Sequence, residues 1–144
     1  MPGYHTSCNP DSHLLVQTFK FEISKVLESI NWWRRNVRPS AYYMPDVWWD
    51  DDLAISAERY AASCPIVYAD DYTKDIGNTS VGQTICWSKK ENMSWRDCVD
   101  SWAKESHFWR YGEGPTSSDV SVANYLQLIN QGIESFRPNF NFIF

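Results

Sequence analysis

The sequence predicts one layered α+β domain. Three observations carry that expectation: three segments whose apolar residues recur at three-and-four spacing, two shorter segments that read as strands, and clusters of turn-forming residues between them. With 144 residues, 43% of them apolar and 16% aromatic, the chain can bury one real core and is too short for two ordinary domains.

Residues 1–12 contain Pro2, Gly3, Asn9, Pro10 and Asp11 and read as a flexible tail. From Val16, apolar side chains recur at Phe19, Ile23, Val26, Leu27, Ile30, Trp33 and Val37, which predicts an amphipathic helix ending before Pro39. Asp50, Asp51 and Asp52 supply an N-cap and first-turn negative charge for a second helix, with Leu53, Ala57, Tyr60, Ala61 and Cys64 on one face and Pro65 as its stop. The polar stretch Tyr68 to Ser80 reads as a surface loop, and Val81 to Trp87 as a short buried strand. Ser94 with Asp97 three residues on is a variant capping box, opening a third helix whose inner stripe is Trp95, Cys98, Val99, Trp102 and Trp109. Gly112-Glu113-Gly114-Pro115 reads as a loop and Ala123 to Ile129 as a second strand. Phe136, Phe140, Phe142 and Phe144 alternate with polar residues, so the tail 134–144 reads either as a strand capping an open sheet or as an exposed sticky end. The folded domain is thus expected over 13–133.

Composition removes whole classes of function. A formal charge of -5 argues against a phosphate-backbone binder, which needs clustered Lys and Arg to release counterions. The longest basic cluster, Arg34-Arg35 with Arg38, reads as a solvated helix end. No window approaches the run of about 18 apolar residues that a membrane span requires. The first residues show no basic region, apolar stretch and small-residue cleavage site, so no secretory signal is visible in this chain. Cys8, Cys64, Cys86 and Cys98 lack C-x-x-C spacing, which makes a structural zinc site unexpected and leaves three full pairings open in an oxidising compartment. Asn78 and Asn92 head glycosylation sequons, which matter only on a secretory route.

The run Asn31-Trp32-Trp33-Arg34-Arg35-Asn36-Val37-Arg38-Pro39-Ser40-Ala41, followed by Met44, Trp49-Asp50 and Leu53-Ala54, resembles a family signature, H-N-x-x-R-x-x-V-x-P-x-A with M and W beyond it. The family is the CAP superfamily of cysteine-rich secretory proteins, antigen 5 and pathogenesis-related 1 proteins. Cys64 stands where that family writes A-x-x-C-x-x-x-H, and Gly82-Gln83-Thr84 where it writes G-E-N. Trp95 through Glu105 looks like its S-W-x-x-x-V-x-x-W-x-x-E helix, and Asn124-Tyr125-Leu126-Gln127 falls at H-Y-T-Q. Gly112 to Pro115 is similar to a loop of the vertebrate cysteine-rich secretory branch. These ordered matches run from Asn31 to Gln127, about two-thirds of the chain.

The resemblance implies a three-layer α-β-α sandwich whose central cavity carries two His and two Glu in other members. Here Tyr68 stands at the first His, Gln83 at the first Glu, Glu105 keeps the second Glu, and Asn124 stands at the second His. Without imidazoles, one carboxylate is a poor holder of zinc or a similar ion, so no metal or other cofactor is expected. The chain departs from the family after Gln127, which implies that at least the last strand is missing, that an exposed sheet edge invites oligomerisation, and that Cys64 is free or pairs with Cys86 or Cys98.

Glu105 reads as scaffold, or as a functional anion in a residual hydrolase. Tyr68, Gln83 and Asn124 line a neutral polar pocket, or are drift after lost activity. His107 lies on a different helix face from Glu105, and with His5 and His13 is expected at the surface. The pairs Trp32-Trp33 and Trp48-Trp49 read as a ligand platform or membrane-interface patch, or as aromatics split between core and surface, with the core expected. The implied function is a secreted, extracellular, non-enzymatic binding module for a sterol, a fatty acid or a cell-surface protein or ion channel. The alternatives are the hydrolase acting through Glu105 and a truncated copy with no independent function.

Overall fold

The computed structural model describes residues 15–61, 82–86, 94–131 and 142–143, with side chains at 23–57, 82–86 and 94–131. The elements in chain order are α1 (Leu15–Arg35), α2 (Asp51–Ala61), β1 (Thr84–Ile85), α3 (Trp95–Lys104), a 3-10 turn (Glu105–Phe108), β2 (Trp109–Arg110), β3 (Gly114–Pro115), α4 (Ala123–Leu128) and β4 (Phe142–Ile143). Helix and strand are both present, as an α+β domain requires. Both sheets among the described residues have two strands: β1 with β4 in parallel, and β2 with β3 as an antiparallel hairpin.

Helix α1 forms where the apolar period predicts it, and its inward face is Val26, Ile30 and, four residues further, Arg34. The expectation of a solvated basic end fails for Arg34, which is 0% exposed. Its Nε donates to the Pro45 carbonyl at 2.9 Å, and its Nη1 to the carbonyls of Leu128 at 2.9 Å and Asn130 at 3.0 Å. The physical reason is that a guanidinium is a fixed fork of donors, and here three backbone carbonyls without strand partners converge on it. Burial lowers its pKa from the ordinary guanidinium value to about 10, with the Asp46 carboxylate opposing the shift, so it stays cationic at neutral pH. Arg35 and Arg38 are exposed: Arg35 pairs with Asp46, and Arg38 bonds the Ser40 hydroxyl.

Asn31, also buried, donates through Nδ2 to the Val47 carbonyl at 3.0 Å and accepts from the Val47 N–H at 2.8 Å. The segment after α1 is therefore held by side chains of α1 rather than by a neighbouring strand. It leads into α2, where the Asp50 carboxylate accepts from the N–H groups of Asp52 and Leu53 as the sequence predicts for a cap. Leu53 and Ala57 face inward.

Helix α3 opens with the expected reciprocal box, Ser94 Oγ accepting from Asp97 N and the Asp97 carboxylate accepting from Ser94 N. Cys98, Val99, Trp102 and Ala103 are its buried stripe, and Trp33 Nε1 on α1 donates to Asp100 on its flank. Trp109 does not belong to that stripe. The helix tightens into the 3-10 turn at Glu105, and Trp109 begins the hairpin, whose turn uses the positive φ of Gly112 and Gly114.

The stretch 123–129, expected as a strand, is helical over Ala123–Leu128, with Ile129 as the C-cap. Val122, Tyr125 and Leu128 are buried at three-residue spacing, a helical period that alternation does not produce. The Trp pairs split between core and surface: Trp33 and Trp49 pack against the core as expected, while Trp32 and Trp48 are exposed. Adjacent residues on a helix or an extended segment point different ways, so each pair divides. The core unites Val26, Ile30, Val47, Val99, Trp102, Ala103 and Leu128 with a Cys86–Cys98 disulfide. That pairing removes both cysteines as partners for Cys64, which with Cys8 lies outside the described residues. The same holds for the tail 1–12, the loop 68–80, Trp87, the sequon residues Asn78 and Asn92, His5, His13, Phe136, Phe140 and Phe144.

Arg34→Met is expected to lose on the order of 3 kcal/mol in urea denaturation, because three carbonyls lose a charged donor. Arg34→Lys keeps the charge but not the fork, and is expected to recover less than half of that loss.

Candidate functional site

Three positions one turn apart fasten helix α3 to strand β1. Cys98, Trp102 and Glu105 follow each other at spacings of four and three, so they stand on one face. Cys98 is disulfide-bonded to Cys86. Trp102 Nε1 donates to the Ile85 carbonyl at 2.9 Å within the buried interior. Glu105, the first residue beyond the helix, accepts from Asn124 Nδ2 through Oε1 and from the Tyr125 N–H through Oε2, both at 2.9 Å. The Asn124 Oδ1 in turn accepts from the Ile85 N–H at 3.1 Å.

Ile85 therefore has both backbone groups taken by side chains. In a strand the N–H and C=O of one residue point to the same side, so Asn124 and Trp102 occupy the edge opposite β4 that a further strand would use. The Asn124 amide is oriented by this network: its oxygen must face the Ile85 N–H and its nitrogen the carboxylate.

Of the four positions singled out from the sequence, Glu105 and Asn124 bond each other directly. Gln83 is buried two residues before Ile85 in the same segment, next to the fully buried Thr84. Tyr68 lies outside the described residues. The α4 residue Tyr125 is buried, and that burial pushes its phenol pKa up. His107 is exposed, as its place on another face predicts.

The donors present do not fit a zinc-type centre. Each Glu105 oxygen already holds a donor, and Gln83 and Asn124 offer neutral amide oxygens where a borderline-soft ion favours imidazole or thiolate. Among the described residues no group of three His, Cys, Asp or Glu stands close enough to hold a metal. Cys86 and Cys98 are oxidised and buried, so neither serves as a nucleophile.

Two further contacts escaped the sequence reading. A Cβ on Gly82 would come within 2.1–2.3 Å of the Gln127 carboxamide, so the α4 side chain lies directly over the glycine backbone. The G-x-T and N-Y-L-Q segments meet there, and the pairing of a glycine with a long amide at two separate motifs is the signal that pointed to it. The second is the outward set Trp32, Tyr42, Tyr43 and Trp48, 53%, 107%, 54% and 46% exposed, concentrated at the end of α1 and the segment after it. Its tryptophans belong to the pairs for which the core is expected over a ligand platform, and the sequence singles out neither tyrosine, because hydropathy alone does not tell an outward aromatic from an inward one.

The family model described as the cysteine-rich secretory protein family, CAP, matches residues 27–136. Cysteine-rich secretory protein 3 of Equus caballus is 27% identical over 130 residues, which cover 90% of this chain and 53% of that protein. The cysteine-rich venom protein helothermine of Heloderma horridum horridum is 26% identical over 129 residues, 90% of this chain and 48% of its own length. The cysteine-rich venom protein VAR7 of Varanus acanthurus is 30% identical over 110 residues, 74% of this chain and 67% of that protein. The chain spans about half the length of the first two.

Gly82→Ala is expected to drive the Gln127 carboxamide off its seat and lose about 1–2 kcal/mol. In a double-mutant cycle read by urea denaturation, the same change in a Gln127→Ala background is expected to cost only a few tenths of that unit.

Proposed function

The chain belongs to the cysteine-rich secretory protein (CAP) family, and from that premise we propose that it is a secreted, non-enzymatic binding module with a metal-free polar cluster at Gln83, Glu105 and Asn124. We read its architecture as the three-layer α-β-α sandwich of that family, with Tyr68 completing the four cavity positions, of which Glu105 alone keeps the family residue. The single observation that carries the reading is the state of Glu105. Its two oxygens are committed to Asn124 and to the Tyr125 N–H, so the carboxylate acts as a clasp between the end of α3 and the start of α4.

A general base must reach the proton it abstracts, and a metal ligand must present a lone pair to the ion. Each Glu105 oxygen gives one of its lone pairs to a donor that ties the end of α3 to α4, which supports a positioning role for the carboxylate. The extracellular assignment is supported by the secretory and venom names of the relatives and by the Cys86–Cys98 disulfide, which fits an oxidising route.

The partner class follows from apolar surface. Trp32, Tyr42, Tyr43 and Trp48 place large rings in water, residue types that supply contact area at low entropic cost. We assign them to recognition of a sterol, a fatty acid or a cell-surface protein such as an ion channel.

Native mass spectrometry of the protein purified from a secreting host, with competition by a fluorescent sterol, tests the lipid arm. A copurifying lipid displaced by sterol supports it, and a bare mass with no competition removes it. Isothermal titration with zinc is expected to give no saturable heat. Glu105→Gln separates scaffold from catalyst: stability is expected to fall by about 1–3 kcal/mol, since the amide nitrogen cannot accept, while turnover of activated esters stays at the solvent background. Saturable turnover lost in that variant would restore the hydrolase reading.

A further inference from the structure

One stretch of extended backbone has partners on one side only. Between α1 and α2, the Pro45 carbonyl accepts from Arg34, and both backbone groups of Val47 are held by Asn31. In extended chain, successive residues turn their N–H and C=O groups to opposite edges. Pro45 and Val47 therefore face α1, and Asp46 and Trp48 face away from it. The side chains show the same period of two: Val47 is buried, while Asp46 and Trp48 are exposed. Among the described residues, none bonds the backbone N–H or carbonyl of Asp46 or Trp48. The segment is thus a short strand whose inner edge is fixed by helix side chains and whose outer edge carries unpaired donors and acceptors.

Its surroundings indicate what pairs with it. Pro45 lies against Arg34 and Val47 against Asn31, so the segment runs antiparallel to α1, and Trp48 comes level with the turn that carries the exposed Glu28 and Trp32. Beyond Trp48 follow Asp50, Asp51 and Asp52, the last two exposed, and the whole chain carries a formal charge of -5. Arg35, one turn from Trp32, is already paired with Asp46. A strand laid on this edge meets acidic side chains and two exposed indoles, which suit Lys or Arg through charge and through the faces of the rings.

We propose that the outer edge of residues 45–48 takes an extended, basic segment of a partner protein as an added strand. The inference rests on the protein arm of the binding-module reading and gives that partner its chemistry: main-chain hydrogen bonds to Asp46 and Trp48, with cationic side chains over Trp32 and Trp48. Because Asn31 and Arg34 hold the inner edge before any partner arrives, little ordering is required of this side.

The probe is a fluorescein-labelled octapeptide of alternating Lys and Val, followed by fluorescence anisotropy and by amide hydrogen exchange on the full chain. Saturable binding is expected, with exchange at the Asp46 and Trp48 amides slowed at least about tenfold in the complex. The same peptide with Glu in place of Lys is expected to bind at least about tenfold more weakly. Two N-methylated forms, one methylated at every Lys amide and the other at every Val amide, test the strand pairing itself. Only alternate amides of an added strand face the protein, so one form is expected to lose at least about tenfold in affinity and the other to bind like the parent. Trp48→Pro removes the outward N–H at an edge position that tolerates proline. It is expected to unfold in urea like Trp48→Ala and to bind at least about tenfold more weakly than that variant. Equal binding by the two N-methylated forms overturns the proposal, as does a parent peptide without saturable binding. If Trp48→Pro fails to fold, the N-methylated pair decides on the wild-type chain. A chain that ignores the peptide but copurifies a sterol-displaceable lipid strikes this inference and leaves the binding-module reading standing.

Discussion

The buried guanidinium of Arg34 is the constraint on which the rest of the structure depends. It joins the end of α1, the segment leading to α2 and the end of α4 through carbonyls of Pro45, Leu128 and Asn130. Those carbonyls lie at a chain turn and at a helix C-terminus, where no intrahelical donor remains. A cation there satisfies them and complements the negative end of the helix dipole. The cost is a buried charge, visible in the lowered pKa, and it is bearable because each contact is charge-assisted.

The same solution recurs at two other places among the described residues. Extended backbone inside a protein must find partners for its N–H and C=O groups. At Val47 both are supplied by the carboxamide of Asn31. At Ile85 they are supplied by Asn124 from α4 and Trp102 from α3. Side chains on helices thus do for these segments what neighbouring strands do in a larger sheet. Signature positions of the family, Asn31, Arg34, Glu105 and Gln127, prove to be contacts between elements.

That shift in role bears on function. The Glu105 carboxylate and the Asn124 amide form a hydrogen-bonded pair, with the amide nitrogen donating to the carboxylate and its oxygen turned to the strand. The pair stabilises the junction of α3, α4 and β1. The aromatic residues beyond the end of α1 are the outward counterpart: they are large, solvent-facing and set on a segment that Asn31 and Arg34 hold in place.

The sequence by itself determined the local elements and their stops. Val26 and Ile30 at helical spacing, the Asp50 cap, the Ser94–Asp97 box and the family motifs over Asn31 to Gln127 were legible because each depends on residues within a few positions of one another. The contacts of Glu105 with Asn124 were legible only as the meeting of two motif positions, not as a bond. Tertiary structure alone decided that Arg34 turns inward while Arg35 turns out, because the choice depends on three carbonyls, two of them more than ninety positions along the chain. It decided that residues 123–128 coil into a helix, because Val122, Tyr125 and Leu128 had one shared core to face and short apolar runs carry no period of their own. It also decided that Cys86 joins Cys98, a choice among pairings that depends on where a strand and a helix come to lie and not on how far apart the cysteines stand in the chain.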